Sequence, residues 1–212
     1  MLLLSPIDRL ITHIDTFIKT TTGSIGEGER PSPALSAPET ELSAQEQRYS
    51  ARLMRINHCG EVCAQALYNG QALTARDSRT STLMQQAASE EVDHLTWCEQ
   101  RIKELDSHVS FLNPFWYAVS FSMGALTGLL GDKVNLGFIA ATEQEVCRHL
   151  DEHLEKLPAG DEKSRSILRQ MRDDESRHAT TAMEHGGAPY PESVKLIMRQ
   201  VSKLMTRSTY WL

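Results

Sequence analysis

The chain has no Cys-x-x-Cys pair and no dense cysteine framework: its 212 residues hold four cysteines, Cys59, Cys63, Cys98 and Cys147. This argues against a secreted disulfide scaffold and for a reducing compartment. The four read as small thiols packed around a helical core. Positive charge is not in excess either. A formal net charge of −6 gives no support for a nucleic-acid partner. A cationic leader is also missing, because residues 1–4 are apolar but Asp8 and Arg9 follow at once, so no signal peptide is expected. Strand-like alternation and repeats of solenoid period are absent. What remains is ordinary for a soluble protein, 40% hydrophobic and 24% charged, with enough length for one domain around a full core.

Helical periodicity organises that length. Ser5-Pro6 reads as an N-cap followed by Pro at the first helical position. Ile7, Leu10, Ile11, Ile14 and Ile18 then recur at helical spacing, giving an amphipathic helix over residues 1–20. Residues 21–42 turn to Gly, Ser, Thr and Pro without an apolar period and read as a flexible linker. The main domain, residues 43–212, opens at Ser43-Ala44-Gln45-Glu46, a capping-box pattern. Helices follow to about residue 76, from about 82 to 105, around Leu136 to Leu157 and around Leu168 to Ala182, the last stopping at Gly186-Gly187. Residues 109–131 contain no charged residue. A final helix from about residue 192 sets Val194, Ile197, Val201 and Leu204 against a basic row of Lys195, Arg199, Lys203 and Arg207.

Two Glu-x-x-His pairs, Glu91/His94 and Glu175/His178, fall on the apolar stripes of two of these helices. Residues i and i+3 share a helix face, so each pair aims a carboxylate and an imidazole at one point. Buried side chains of this kind are costly unless something pairs with them. Glu61 and Glu143 lie on or beside the inward faces of two further helices. One Glu from each of two helices plus Glu-x-x-His from each of two others is the ligand set of ferritin-like di-iron carboxylate proteins. The charge of four carboxylates would balance that of two ferrous ions, and oxygen-rich ligation with two imidazoles suits iron or manganese better than zinc. The fold expected is therefore all-α: a ferritin-like four-helix bundle with a long apolar crossover helix and an extra C-terminal helix. By helical phase, Glu90, Asp93, Glu145, Asp173 and Asp174 are assigned to solvated faces, and replacing Glu90 is expected to be silent. His58 and His153 read as structural, and His149 as a second-shell or relay residue.

The stretch from Arg52 through Asn57-His58-Cys59-Gly60-Glu61 to Leu67-Tyr68-Asn69-Gly70-Gln71 resembles the first signature of the demethoxyubiquinone hydroxylases. Asn113-Pro114-Phe115-Trp116-Tyr117 resembles the family's apolar connecting segment, and Asp174-Glu175-Ser176-Arg177-His178 and the ending Thr206-Arg207-Ser208-Thr209-Tyr210-Trp211 resemble its bacterial branch. The resemblance implies an O₂-dependent di-iron monooxygenase that hydroxylates the ring of a prenylated demethoxyubiquinol. Carried across, the metal ligands are Glu61, Glu91, His94, Glu143, Glu175 and His178, with Glu91 and Glu175 bridging the two irons. It also implies NADH as a candidate electron donor, for which Arg52 and Lys203 are the candidate contacts, and an accessory ubiquinone-biosynthesis protein as a candidate partner.

A substrate with a long prenyl tail stays in the bilayer, so its enzyme must reach a membrane surface. Residues 109–131 are long enough to span one, but Asn113-Pro114, scattered Ser/Thr and three Gly favour peripheral insertion over spanning. In that expectation Phe111, Phe115, Trp116, Tyr117, Phe121 and Leu126 enter the interface, and the location is the cytoplasmic face of the bacterial inner membrane. The alternative is a crossover packed wholly on the bundle. Iron storage with ferroxidase activity and peroxide scavenging are the competing functions on the same fold. The uncharged segment fits the first poorly, and no rubredoxin-like cysteine knot supports the second.

Overall fold

The computed structural model describes residues 6–22, 26, 28–38 and 40–212. Seven α-helices account for most of them: α1 (Pro6–Thr22), α2 (Ala44–Thr74), α3 (Ser78–Glu104), α4 (Asn113–Leu129), α5 (Asp132–Lys156), α6 (Glu162–Glu184) and α7 (Glu192–Thr209). No strand occurs among the described residues. The expected N-cap, Ser5, lies outside them. The capping box at α2 is formed as read: Glu46 N donates to Ser43 Oγ at 3.3 Å, and Ser43 N donates to the Glu46 carboxylate at 2.9 Å.

α2 with α3, and α5 with α6, are antiparallel hairpins whose short turns leave no other option. Gln47 Nε2 donates to Asp106 at 3.0 Å, tying the end of α3 to the start of α2. The Arg76 and Asp77 amides both donate to the Asp132 carboxylate at 3.1 Å, tying the start of α5 to the end of α2. α4 therefore runs the length of the bundle beside α2 and makes α3 and α5 parallel. This is the single crossover of the ferritin-like bundle.

Close packing holds α4 there. An added Cβ on Gly124 would collide with the Leu67 carbonyl, and one on Gly70 with the Phe121 carbonyl. Thr74 Oγ1 donates to the Ala125 carbonyl at 2.9 Å across the same contact. Trp116 and Tyr117 face inward and are buried, which corrects their expected place in a membrane interface. Phe121 is half-buried under α1, where His13 and Phe17 meet Phe121 and Tyr117 edge-on. Phe111, Phe115 and Leu126 do remain exposed. An uncharged segment carries no polar stripe, so its sequence does not show which face turns inward; the small residues do. Among the described residues, no helix is long and apolar enough to cross a membrane.

The segment read as a flexible linker packs over much of its described length. Ala34 joins the core, Leu42 packs against it, and Trp97 Nε1 donates to the Arg30 carbonyl at 3.2 Å. Gly, Ser and Pro deny the chain a regular period, but they do not deny it a fixed path. The bundle core itself is split. One apolar cluster gathers Leu53, Met54, Trp97, Ile102, Leu150, Leu168 and Met171; the other gathers Ala64, Met84, Leu136, Ile139 and Ala182. Between them lies a polar layer.

Gly124→Ala should destabilise the fold by about 1–3 kcal/mol, because backbone cannot yield as a side chain tip would. Chemical denaturation reads the loss, with iron content of the folded fraction unchanged.

Candidate metal centre

Glu61 enters the polar layer from α2, Glu91 and His94 from α3, Glu143 from α5, and Glu175 and His178 from α6. All six are buried. Ligand atoms of Glu61, Glu91, His94 and Glu175 lie within 4.8 Å of one another, as do those of Glu143, Glu175 and His178. Glu175 belongs to both groups. Its Oε1 is 3.0 Å from His94 Nδ1 and its Oε2 is 3.0 Å from His178 Nδ1. Glu91 has the same two-sided reach, 3.3 Å to His94 Nδ1 and 3.6 Å to His178 Nδ1. Two central carboxylates, each with one oxygen toward each imidazole, form the cradle of a bridged pair of metal ions.

The donor set fits metal ions by its own chemistry. Glu91 Oε1 and Glu143 Oε2 are buried and have no hydrogen-bond partner. Leaving such groups unsatisfied is costly, and a cation satisfies them together. Their protonation tells the same story. Burial, and next the charge of Glu175, raise Glu91 and Glu143 well above the usual carboxylate range. Burial opposes ionisation of Glu175 too, but hydrogen bonds from His178 and His94 bring it down to about 2. For His94, burial works against the imidazolium, yet Asp174 and three glutamates hold its pKa well up. Without metal, protons neutralise the layer; two ferrous ions would replace them. The residues fit a di-iron centre.

Around the six, the structure corrects the phase argument at three positions. Asp174 is buried, with Oδ2 3.0 Å from His94 Nε2. Glu90 Oε2 lies 3.1 Å from His178 Nε2. Asp93 is buried against Arg30. Each acid that precedes a glutamate ligand thus orients the imidazole on the opposite helix, and Arg177 joins the two at 2.8 Å from Asp174 and 2.9 Å from Glu90. The repeated acid-Glu-x-x-His in both helices was the signal for this exchange. Tyr68, also missed, donates to Glu143 Oε1 at 2.5 Å. Asp173 is exposed as expected, and Glu145 is half-buried beside Arg148.

The other residues singled out in the sequence stand outside this cluster. His58 is buried beside Asn113, 3.4 Å away, and His153 Nδ1 is 2.8 Å from Asn57. All four cysteines are unpaired thiols, buried or half-buried. Arg52 stacks its guanidinium on the Trp211 ring at 4.5 Å and on Tyr210 at 5.2 Å, while Lys203 projects from α7 into solvent.

Glu143→Ala should leave the bundle folded and strip or scramble the metal site, read as iron per chain. Asp174→Asn and Glu90→Gln should each weaken iron binding by about 10–100-fold in a chelator competition. Because Glu91 and Glu143 hold protons that metal must displace, ferrous binding at neutral pH should release protons and weaken as pH falls. Calorimetry in buffers of different ionisation enthalpy checks it.

The model of the family of ubiquinone biosynthesis protein COQ7 matches residues 48–209. Among curated relatives, the 3-demethoxyubiquinol 3-hydroxylase of Stutzerimonas stutzeri (strain A1501) is 58% identical over 206 residues, covering 97% of this chain and 96% of its own. Proteins of the same name from Azotobacter vinelandii and Pseudomonas putida (strain GB-1) are 57% and 56% identical with the same coverage.

Proposed function

Because the chain belongs to the family of ubiquinone biosynthesis protein COQ7, we infer its reaction by asking what that family's chemistry requires of this site. The protein is a di-iron monooxygenase of ubiquinone biosynthesis. The substrate we assign is a prenylated demethoxyubiquinol, hydroxylated on its ring. One observation carries this reading: an apolar cavity of about 350 Å³ runs between α2, α4, α5 and α7 and ends on Glu61. Iron storage needs a polar path for hydrated ions, and this approach to the metal layer is lined by Leu67, Trp116, Met123, Phe138 and Val146.

Irons held by these six residues would supply reductive activation of O₂, with one oxygen atom going to the ring, the other leaving as water, and two further electrons drawn from a donor. The protein's own residues do the rest. Gly60, next to Glu61, has open space where a Cβ would stand, so the cavity reaches the metal layer unobstructed there. The glycine serves access and not helix packing. His149 lines the same wall, and its buried Nε2 has no hydrogen-bond partner. Burial lowers its pKa to about 4, so the ring is neutral at physiological pH. A neutral imidazole there can hold a quinol hydroxyl, accepting or passing its proton according to tautomer. The His149 ring lies tilted against His153, centroids 4.0 Å apart, and His153 in turn meets Asn57. NADH as donor, with Arg52 and Lys203 as contacts, would have to displace the Trp211 ring to reach Arg52.

We propose a peripheral membrane location, on the cytoplasmic face in a bacterium, and the apolar cavity mouth supports the peripheral part of that reading. Ile197 is 64% exposed and yet lines the cavity, so the opening lies at α7. Around it α4 exposes Phe115, Leu126 and Leu129, and α7 exposes Leu196 and Leu204. The Phe111 amide donates to the Leu212 carbonyl at 2.9 Å, joining the two helices' apolar surfaces. Of the basic row, Lys195 and Arg199 pair with Glu192, which leaves exposed Lys203 and Arg207 to meet anionic headgroups at roughly 1 kcal/mol each.

Cells lacking the protein should accumulate the demethoxy quinone, measured by mass; Gly60→Leu should fail to restore the product while retaining iron. The purified protein should float with anionic liposomes and be released by a high-pH carbonate wash. Leu126→Asp with Leu204→Asp should cut flotation at least tenfold, since each buried leucine contributes about 1.5–3 kcal/mol. Absence of flotation even on anionic vesicles rejects the peripheral location.

A further inference from the structure

We propose that Arg30, in the irregular strap before the bundle, is a positioning residue for the metal layer: it fixes the Asp174 carboxylate and, through it, the His94 imidazole. The proposal rests on the di-iron reading above. Arg30 Nη1 donates to Asp174 Oδ2 at 2.8 Å, the same oxygen that meets His94 Nε2 at 3.0 Å. The other oxygen, Oδ1, accepts from Arg177 and Gln170 at 2.8 and 3.1 Å. Remove Arg30, and Oδ2 keeps the imidazole but loses the cation that sets its direction.

The strap is built to deliver this one side chain. The Arg30 amide and its Nε both donate to Asp93, at 3.1 and 2.5 Å. The guanidinium sits 4.9 Å over the Trp97 ring, whose Nε1 binds the Arg30 carbonyl. Two residues earlier the backbone passes so close to Asp93 that a Cβ on Gly28 would strike its carboxylate. Asp93 and Trp97 sit one helical turn apart on α3, either side of His94 in sequence, and both hold the strap. The charge-assisted chain Asp93–Arg30–Asp174–His94 thus enters the site from outside the four bundle helices. Metal loading and strap docking are then coupled, and coupling is reciprocal: iron must tighten the strap by the factor the strap tightens iron.

The experiment uses the full chain, loaded anaerobically with ferrous iron and challenged with a chromogenic chelator. Arg30→Gln should release iron about tenfold faster or more, the range expected when a ligand's outer partner is lost. Arg30→Lys should restore part of the difference, because it keeps the charge without the planar fork. Gly28→Ala, which pushes the strap off Asp93 and keeps Arg30, should behave like Arg30→Gln. Arg101→Gln is the structural control: it breaks a buried pair with Asp161 remote from the ligands, so it should lower the melting temperature without speeding release. In an Asp174→Asn background, Arg30→Gln should add little. Iron loading should also protect the strap from limited proteolysis in the wild type, and not in Arg30→Gln. Wild-type release from Arg30→Gln, or equal acceleration by Arg101→Gln, overturns the proposal with the di-iron reading intact. A wild type that takes up no iron overturns that reading, and this proposal with it.

Discussion

Six ionisable side chains packed into the middle of a helical bundle impose the constraint that the rest of this structure answers. Four glutamates within bonding distance of shared ions cannot stay charged in a low-dielectric interior without cations or protons. The fold confines that cost to a single layer, with apolar clusters above and below it. Inward, Glu91 and Glu143 keep unpartnered oxygens close to the Glu175 carboxylate. Outward, the imidazoles are held by Asp174 and Glu90, and these by Arg177 and Arg30. Outward the charge alternates from carboxylate ligands to imidazoles, carboxylates and guanidinium groups, and cations at the centre would complete the series.

The inner shell was legible in the sequence, and the outer shell was not, for one geometric reason. Glu61, Glu91, Glu143 and Glu175 lie in phase with their helices' apolar stripes, and phase is a property of one helix alone. Glu90 and Asp174 are one residue away, about 100° round the helix. Judged against their own helix they point off the core. The groove they point into is filled by the histidine of the facing helix, which no single-helix pattern contains. That is why Asp174, assigned to solvent, is buried; Asp93 is buried for another reason, against Arg30 of the strap. The strap was misread for a related reason: Arg30, Ala34 and Leu42 take their places from α3 and α6, and the sequence shows only that the segment lacks a period of its own.

The crossover illustrates the opposite limit. Its lack of charge was plain, but an uncharged helix has no polar side to mark solvent. The glycines resolve it. Gly124 and Gly128 lie on the face against α2, where only a bare Cα fits, and they turn Trp116 inward with them. Phe115 and Leu126 are left outward as a consequence of packing and not of any separate signal.

One helix therefore does two jobs through adjacent faces. The side of α4 that carries Trp116 and Met123 walls the cavity ending on Glu61, and the side that carries Phe115 and Leu126 is open. A prenylated quinol is insoluble in water over most of its length and polar only at its ring. In the peripheral reading such a molecule could pass from bilayer to metal layer along apolar surface, round the edge of a single helix, without exposing its tail. The cavity wall offers it the neutral, unpartnered imidazole of His149. Two unpartnered ring nitrogens, His149 Nε2 and Trp116 Nε1, stand in that wall, and they give the ring a reason to stop there and the tail none. The depth of the apolar cavity, and not added charge recognition, then selects for a substrate of this shape.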